Sequence, residues 1–469
     1  ASGGTLTLNG DLNNSATVTI ESGGSFLQGN SSSISNVGIF RVQRQGSTSY
    51  YNMWSSPITS QTGIPGTSYL YSSSASTQDD SDDQPSDPGW SSYNGVMTPG
   101  RGYAGQGGNL ATFTGTPNNG NVNFGLYYAP FDNTFTQTVP GTPFNLIGNP
   151  YPSAISAASF ISANTDIDGT IYLWNDNGSN NYSRTDYAYW NGTGGLGTGG
   201  GPTPNGYIGS CQGFMVRALN SSALANFTNN MRVAGDNSQF HKPGSDDSRM
   251  WLSLENADVR NEILIGLLED ATEGEDRMYD AVKLKGNPDI ALSAVDAATE
   301  YAILAFPPPL STRTVPLKLK LSTTGNYYFV ANTMENLDGY EVYLSDILTG
   351  TNVLLNEGDS VPVNLAAGEH NDRFFLNFVP TSFTGIEEND EANITAFVAN
   401  ERLNVKCEFC SSDDVLELMD MSGKRVMAFE NAPFFNGSLS IPVDALTTGV
   451  YVVRVINDTK AYSQKIITH

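Results

Sequence analysis

Gly4-Thr5-Leu6-Thr7-Leu8-Asn9-Gly10, Ala16-Thr17-Val18-Thr19-Ile20 and Gly24-Ser25-Phe26-Leu27 follow one another at the start of the chain. In each run apolar and polar residues alternate, and Gly or Asn sets it off from the next. Alternation with a period of two is the mark of a strand that buries one face. Short strands of this kind, returning at near-regular spacing, suit one or two coils of a parallel β-solenoid over residues 1–36. A solenoid coil cannot bury its apolar side alone and needs neighbours above and below. Either the chain once continued N-terminally, or the following domain caps this edge.

The same pattern runs on through the chain. At 469 residues the length suits roughly three domains, ample for hydrophobic cores without disulfide staples. Charged residues make up only 15%, beside 48 Gly and 22 Tyr. Low charge with many Gly, Asn, Thr and aromatics is the composition of short strands joined by tight turns, not of helical bundles. The expected fold is all-β and multidomain: a β-solenoid remnant followed by β-sandwich domains of Ig-like or jelly-roll-like type.

Residues 37–244 read as an aromatic-rich β domain, with strands at Val37–Val42, Phe144–Ile147, Thr170–Trp174 and Gly213–Arg217. Turn-rich stretches, Asp79–Gly89 and Gly192–Asn205, lie between them, and long loops on a β scaffold usually carry binding functions. Residues 245–380 hold a run of further strand patterns, including Tyr301–Phe306, Val315–Leu321, Tyr340–Leu344 and Arg373–Phe378, the spacing of a β-sandwich. Pro307-Pro308-Pro309 belongs in a loop or at a strand edge. Residues 381–392 read as a linker, and 393–469 as a smaller sandwich of seven strands: Thr395–Val398, Leu403–Val405, Val415–Met419, Val426–Phe429, Leu439–Ile441, Val450–Val455 and Ser463–Ile467.

Within this last segment stand Val415-Leu416-Glu417-Leu418-Met419-Asp420-Met421-Ser422-Gly423-Lys424-Arg425-Val426, then Leu446-Thr447-Thr448-Gly449-Val450-Tyr451-Val452-Val453-Arg454-Val455, then Lys465-Ile466-Ile467. These three blocks, in this order, resemble the C-terminal sorting domain of proteins exported by the type IX secretion system of Bacteroidetes, type A-like. The resemblance covers roughly the last 80 residues. It implies that Asp420, Gly423, Lys424, Val426, Gly449, Tyr451, Val453, Lys465, Ile466 and Ile467 carry the sorting signal. It also implies as partners the type IX translocon with its shuttle and sortase proteins, export across the outer membrane, and cleavage between Pro380 and Asn393. The physical reading agrees, because Gly423 suits a hairpin turn and a terminal strand can be recognised by strand addition. Tyr340–Thr351 and Asn371–Leu376 resemble a module placed before such domains. Leu146–Pro152 resembles a segment of large surface proteins of gliding Flavobacteria-like organisms. These imply location and architecture, not a ligand.

Charge narrows the partners. The formal net charge of −25 repels a phosphate backbone, so nucleic acid is not an expected partner. No apolar run reaches 18 residues, so the chain itself is not expected to be transmembrane. Ala1 runs directly into repeat-like sequence, which reads as a mature form or a fragment of something longer. The cysteines are Cys211, Cys407 and Cys410; Cys407-x-x-Cys410 reads as structural thiols or a local disulfide, since a redox motif needs a βαβ setting.

No catalytic constellation is visible. Nucleophilic catalysis needs a positioned His, and the histidines are His241, His370 and His469, with no Gly-x-Ser-x-Gly elbow and no H-E-x-x-H. The glycines of Gly194–Gly201 resemble a phosphate loop, but Pro202 and Pro204 forbid the helix that such a loop requires, so they read as a flexible loop. Asn175, Asp176, Asn177 and Ser179 alternate oxygens as in part of a calcium loop without its distal Glu. Asp79, Asp80, Asp82 and Asp83 form a second carboxylate group; both stretches read first as solvated turns, with a bound Ca²⁺ as the alternative, and no other cofactor is expected. Trp54, Trp90, Trp174 and Trp190 would serve either the core or surface glycans. Asp359-Ser360-Val361 fits a motif O-glycosylated in that phylum, on Ser360. The expected role is a secreted or cell-surface passenger, non-enzymatic and adhesin-like, linked to gliding motility. The alternative is a polysaccharide-acting enzyme or carbohydrate-binding module of the same secretion class.

Overall fold

A computed structural model of the chain describes residues 3–36, 38–46, 51–63, 67–71, 90–106, 110–130, 143–176, 186–198, 202–234, 247–284, 286–297, 299–381, 394–399, 402–407, 410–411, 414–420, 424–429, 432–434, 437–443, 446, 449–456 and 461–468. The chain forms two compact units, Ala1–Thr381 and Ser382–His469.

The first unit begins with two stacked coils. Strands β1 (Thr5–Leu8), β2 (Leu12–Asn14) and β3 (Thr17–Ile20) make one coil, and β4 (Ser25–Gln28), β5 (Ile34–Asn36) and β6 (Ile39–Gln45) the next. Each strand pairs in parallel with its counterpart one coil on: Thr5 with Ser25, Leu12 with Ile34, Thr17 with Ile39. This is the solenoid that the alternating runs predict. Phe26 and Phe40 fill its interior, fully buried with ring centroids 5.1 Å apart. At one corner the buried Asn14 accepts from the Ala16 N–H at 3.1 Å and donates to the Ile39 carbonyl at 3.2 Å. It thereby pairs backbone groups that would otherwise be left dry. Gly38 sits where the coils come closest: a Cβ there would lie 2.0 Å from the Ala16 carbonyl oxygen. Leu110–Thr114 then pairs antiparallel with β6, Phe113 opposite Val42, so a strand from the following block covers the upper coil.

That block is built on a five-stranded antiparallel sheet in the order Phe144–Gly148, Gly213–Arg217, Ile171–Asn175, Asp186–Trp190, Gly195–Leu196. Alternation divides its side chains between two cores. Ile147, Ile171, Phe214 and Val216 pack with Phe160 and Ile161 of helix α1 (Ala157–Ala163). Phe144, Leu146, Tyr172, Tyr189 and Met215 pack with Leu264, Ala302 and Ile303 of the next sheet. This short helix stands within an all-β fold. Ser156 caps it by accepting from the Ser159 N–H, but seven residues are too few for a 3.6-residue period to stand out in sequence. The described part of the glycine-rich stretch also differs from a flexible loop: Gly195 and Leu196 pair with Trp190 and Tyr189 at the sheet edge. A Cβ on Gly195 would stand 2.1 Å from the Pro204 carbonyl oxygen, so close packing explains this glycine.

An 11-stranded sheet completes the unit. Its path runs from Thr351–Leu355 through Tyr340–Asp346, Gly368–Pro380, Arg313–Leu321, Ile290–Asp296, Thr299–Phe306, Arg260–Leu267, Ser248–Glu255 and Gly325–Glu335 to Ser360–Leu365, with Ala281–Val282 beside Thr299–Phe306. Phe329 and Phe374 lie far apart along that path, yet their rings stand 5.0 Å from each other. The sheet therefore folds over on itself, nearly closed, and encloses one core drawn from both ends and the middle. The Pro307–Pro309 run lies outside the strands.

The second unit is a small sandwich. One sheet orders Ile394–Ala399, Arg402–Cys407 and Ser438–Pro442; the other orders Arg425–Phe429, Val415–Asp420, Gly449–Ile456 and Ala461–Thr468. These are the seven strands of the sequence reading. The linker beyond Thr381 lies outside the described residues.

Candidate functional site

The terminal hairpin of the second unit follows directly from its sequence. Val450 to Val455 is almost wholly β-branched or aromatic, which suits a pleated, half-buried strand. Alternation turns Tyr451, Val453 and Val455 into the core, with Val453 and Val455 fully buried. The last strand pairs with it antiparallel, setting Ile466 opposite Tyr451, Lys465 opposite Val452 and Ile467 opposite Val450. Ile466 is buried in the same core. On the other side Asp420 stands opposite Tyr451, and a bulge between Leu418 and Met419 shifts the pairing with the strand that carries Val426.

The proposed sorting residues therefore fall into different physical classes. Tyr451, Val453 and Ile466 hold the sandwich together. Lys424 and Val426 are exposed. Asp420, Gly449, Lys465 and Ile467 are fixed by register on the two central and last strands, and Gly423 lies outside the described residues. Between these strands Glu417 takes Arg425 at 3.0 Å and Arg454 at 3.8 Å, a surface pairing of small energetic worth. Cys407 and Cys410 form a disulfide at the end of a core strand, with Cys407 also donating its N–H to the Gly437 carbonyl.

In the first unit, candidate binding groups are largely engaged by protein. Asn175 Nδ2 bonds Thr198 Oγ1, and Asp176 accepts from the Tyr51 N–H at 2.6 Å; Asn177, Ser179 and the Asp79–Asp83 carboxylates lie outside the described residues. Among the described residues, no group of three or more His, Cys, Asp or Glu is placed to hold a metal. Trp54 is buried and donates its Nε1–H to the Gly105 carbonyl. Trp90 and Trp174 pack on one core and Trp190 on another. Ser360 is exposed at the start of an edge strand, just after a turn that Asp359 closes by accepting from Asn356. His370 bonds the Ala366 carbonyl, and His241 and His469 lie outside the described residues.

Sequence reasoning missed the buried polar ties that join the elements. Asp168 receives the Tyr172 hydroxyl at 2.7 Å and Arg217 Nε at 3.2 Å, while Arg217 also reaches Glu275 at 2.6 Å. Burial raises the Asp168 carboxyl, and the Arg217 guanidinium and these hydrogen bonds oppose the rise. Arg277 donates to the Ile161 and Asn164 carbonyls, capping the end of α1 from a distant loop. Apart from Tyr172 and Asp168, these partners stand 49 to 116 residues apart in the chain and leave no local signal.

Among the described residues no helix is long and apolar enough to cross a membrane. Residues 1–378 match the family model described as Domain of unknown function (DUF8693). Residues 399–469 match the model described as Secretion system C-terminal sorting domain. No curated protein matches the chain. A solved structure titled "Biofilm associated protein - BSP domain" aligns at 11% identity over 90% of each chain with a TM-score of 0.16, too low to bear on fold or role. The C-terminal unit is thus a type IX secretion sorting domain, and it marks the chain for export to the cell surface or the extracellular space.

Proposed function

We propose, for a chain that belongs over residues 1–378 to the family described as Domain of unknown function (DUF8693), that the first unit is an adhesin-like passenger and the second its export tag. The observation that carries the reading is the sorting domain itself, a folded sandwich whose exposed hairpin residues stand apart from its core. The passenger role is supported by architecture: stacked coils and sheets that share cores, with ionisable groups such as Asp168 and Arg217 bound up in ties between elements. The C-terminal unit engages the translocon and then the shuttle and sortase proteins. The passenger contacts surfaces, glycans among them, with Ser360 as a site of O-glycosylation.

Host cells lacking the chain, compared with wild-type cells on bare and polysaccharide-coated surfaces, test the passenger role. Reduced attachment, restored by re-expression, is the expected result. Unchanged attachment while the wild-type chain is displayed would overturn it, as would release of sugar from the coating by the purified chain.

A further inference from the structure

Where the five-stranded sheet meets the 11-stranded one, Asp186, Asn261 and Lys283 come together from three separate strands or strand ends, all but fully buried. Lys283 Nζ lies 2.7 Å from Asn261 Oδ1, and Asn261 Nδ2 lies 2.7 Å from Asp186 Oδ2. Asn261 Oδ1 also accepts the Leu292 N–H at 3.0 Å. Asp186 Oδ1 receives the N–H groups of Tyr187 and Gly286, and the Tyr189 ring lies 5.7 Å from Lys283 Nζ. An amine, a carboxamide and a carboxylate are thus held in contact, in order, and away from water.

We propose that these three residues form an intramolecular isopeptide bond between Lys283 and Asn261, with Asp186 as the acid–base group. The chemistry closes without an oxidant, reductant or co-reactant. Asp186 takes one proton from the Lys283 ammonium. The freed Nζ attacks Asn261 Cγ, and the electron pair moves onto Oδ1, where the Leu292 N–H stabilises it. As the carbonyl re-forms, the Cγ–Nδ2 bond breaks, and Nδ2 leaves as ammonia with the second Nζ proton passed through Asp186. The Nζ–Cγ bond remains as a secondary amide, and Asp186 holds one proton. Positioning supplies most of the help: the reacting groups are already within hydrogen-bond reach, and such placement replaces an improbable encounter with an intramolecular one.

The surroundings favour the step. Burial raises the Asp186 carboxyl, partly offset by nearby Lys283, so the site tolerates the protonated acid that the reaction leaves behind. A charged pair buried this deeply costs desolvation energy; conversion to a neutral amide removes that charge. The product would staple Arg260–Leu267 to the segment following Ala281–Val282 and enclose the acidic loop between them. In an exported protein such a cross-link resists proteolysis and pulling without depending on redox state, and it stands whether or not the passenger is an adhesin.

The test is the mass of the denatured, full-length protein, followed by fragmentation of its peptides. The expected result is a chain lighter by one molecule of ammonia than its sequence, with a branched peptide joining Asn261 to Lys283. Asp186→Asn and Lys283→Met should fold, by circular dichroism, yet keep the full mass. A wild-type protein of full mass, or a loss of ammonia that maps to another residue, would overturn the assignment. So would an Asp186→Asn protein that still forms the branched peptide.

Discussion

Asp280 shows how one buried residue sets a pH dependence. It is buried, mainly desolvation with Asp276 and Glu275 nearby lifts its carboxyl to about 7, and the N–H groups of Asp276 and Ala305 oppose the rise. The folded chain thus binds this proton more tightly than the unfolded one, whose carboxyl titrates near ~3.9. The stabilisation is complete below that value and fades as pH rises through about 7. Urea unfolding of the wild type should show the first unit more stable at acid than at alkaline pH, with this group contributing about 2.5 kcal/mol between pH ~5 and ~8. Asp280→Asn should shrink that difference; an unchanged difference would assign it elsewhere. Gly38 makes a second case at this scale. Ala at this position meets the Ala16 backbone at 2.0 Å, so Gly38→Ala should cost about 1–3 kcal/mol and loosen the coil stack, read by unfolding and by amide exchange in β3 and β6.

Among the elements, the sorting sheet separates what builds the fold from what is displayed on it. Val453→Ala removes a fully buried side chain and should destabilise the second unit by about 1–3 kcal/mol, measured by denaturation. Lys424→Glu and Val426→Ser change exposed positions and should leave stability within about 0.5 kcal/mol, while export in the host falls. Normal export of both variants would place the recognised surface elsewhere. These strands were legible because alternation and β-branching are local: all seven in the second unit, and the solenoid coils, can be read off the chain. Helix α1 was not, since its fold-back depends on Phe160 meeting Phe214 and Phe227. Nor was the edge strand at Gly195, whose glycine answers to Pro204. The Asp186–Asn261–Lys283 cluster was hidden for the same reason, each member being ordinary in its own stretch.

At the scale of the whole molecule, labour is divided between Ala1–Thr381 and Ser382–His469. The acidic balance of −25 suits an exported chain that stays soluble, and the first unit has its own solenoid and sheets. If the second unit is a tag, it should act on whatever precedes it: a reporter fused ahead of residues 382–469 should reach the surface of the host. The most direct measurement is the converse, deletion of residues 393–469 followed by fractionation of host cells. The truncated chain should remain folded in the periplasm and be missing from the surface and the medium. A truncated chain that still reaches the surface would contradict this.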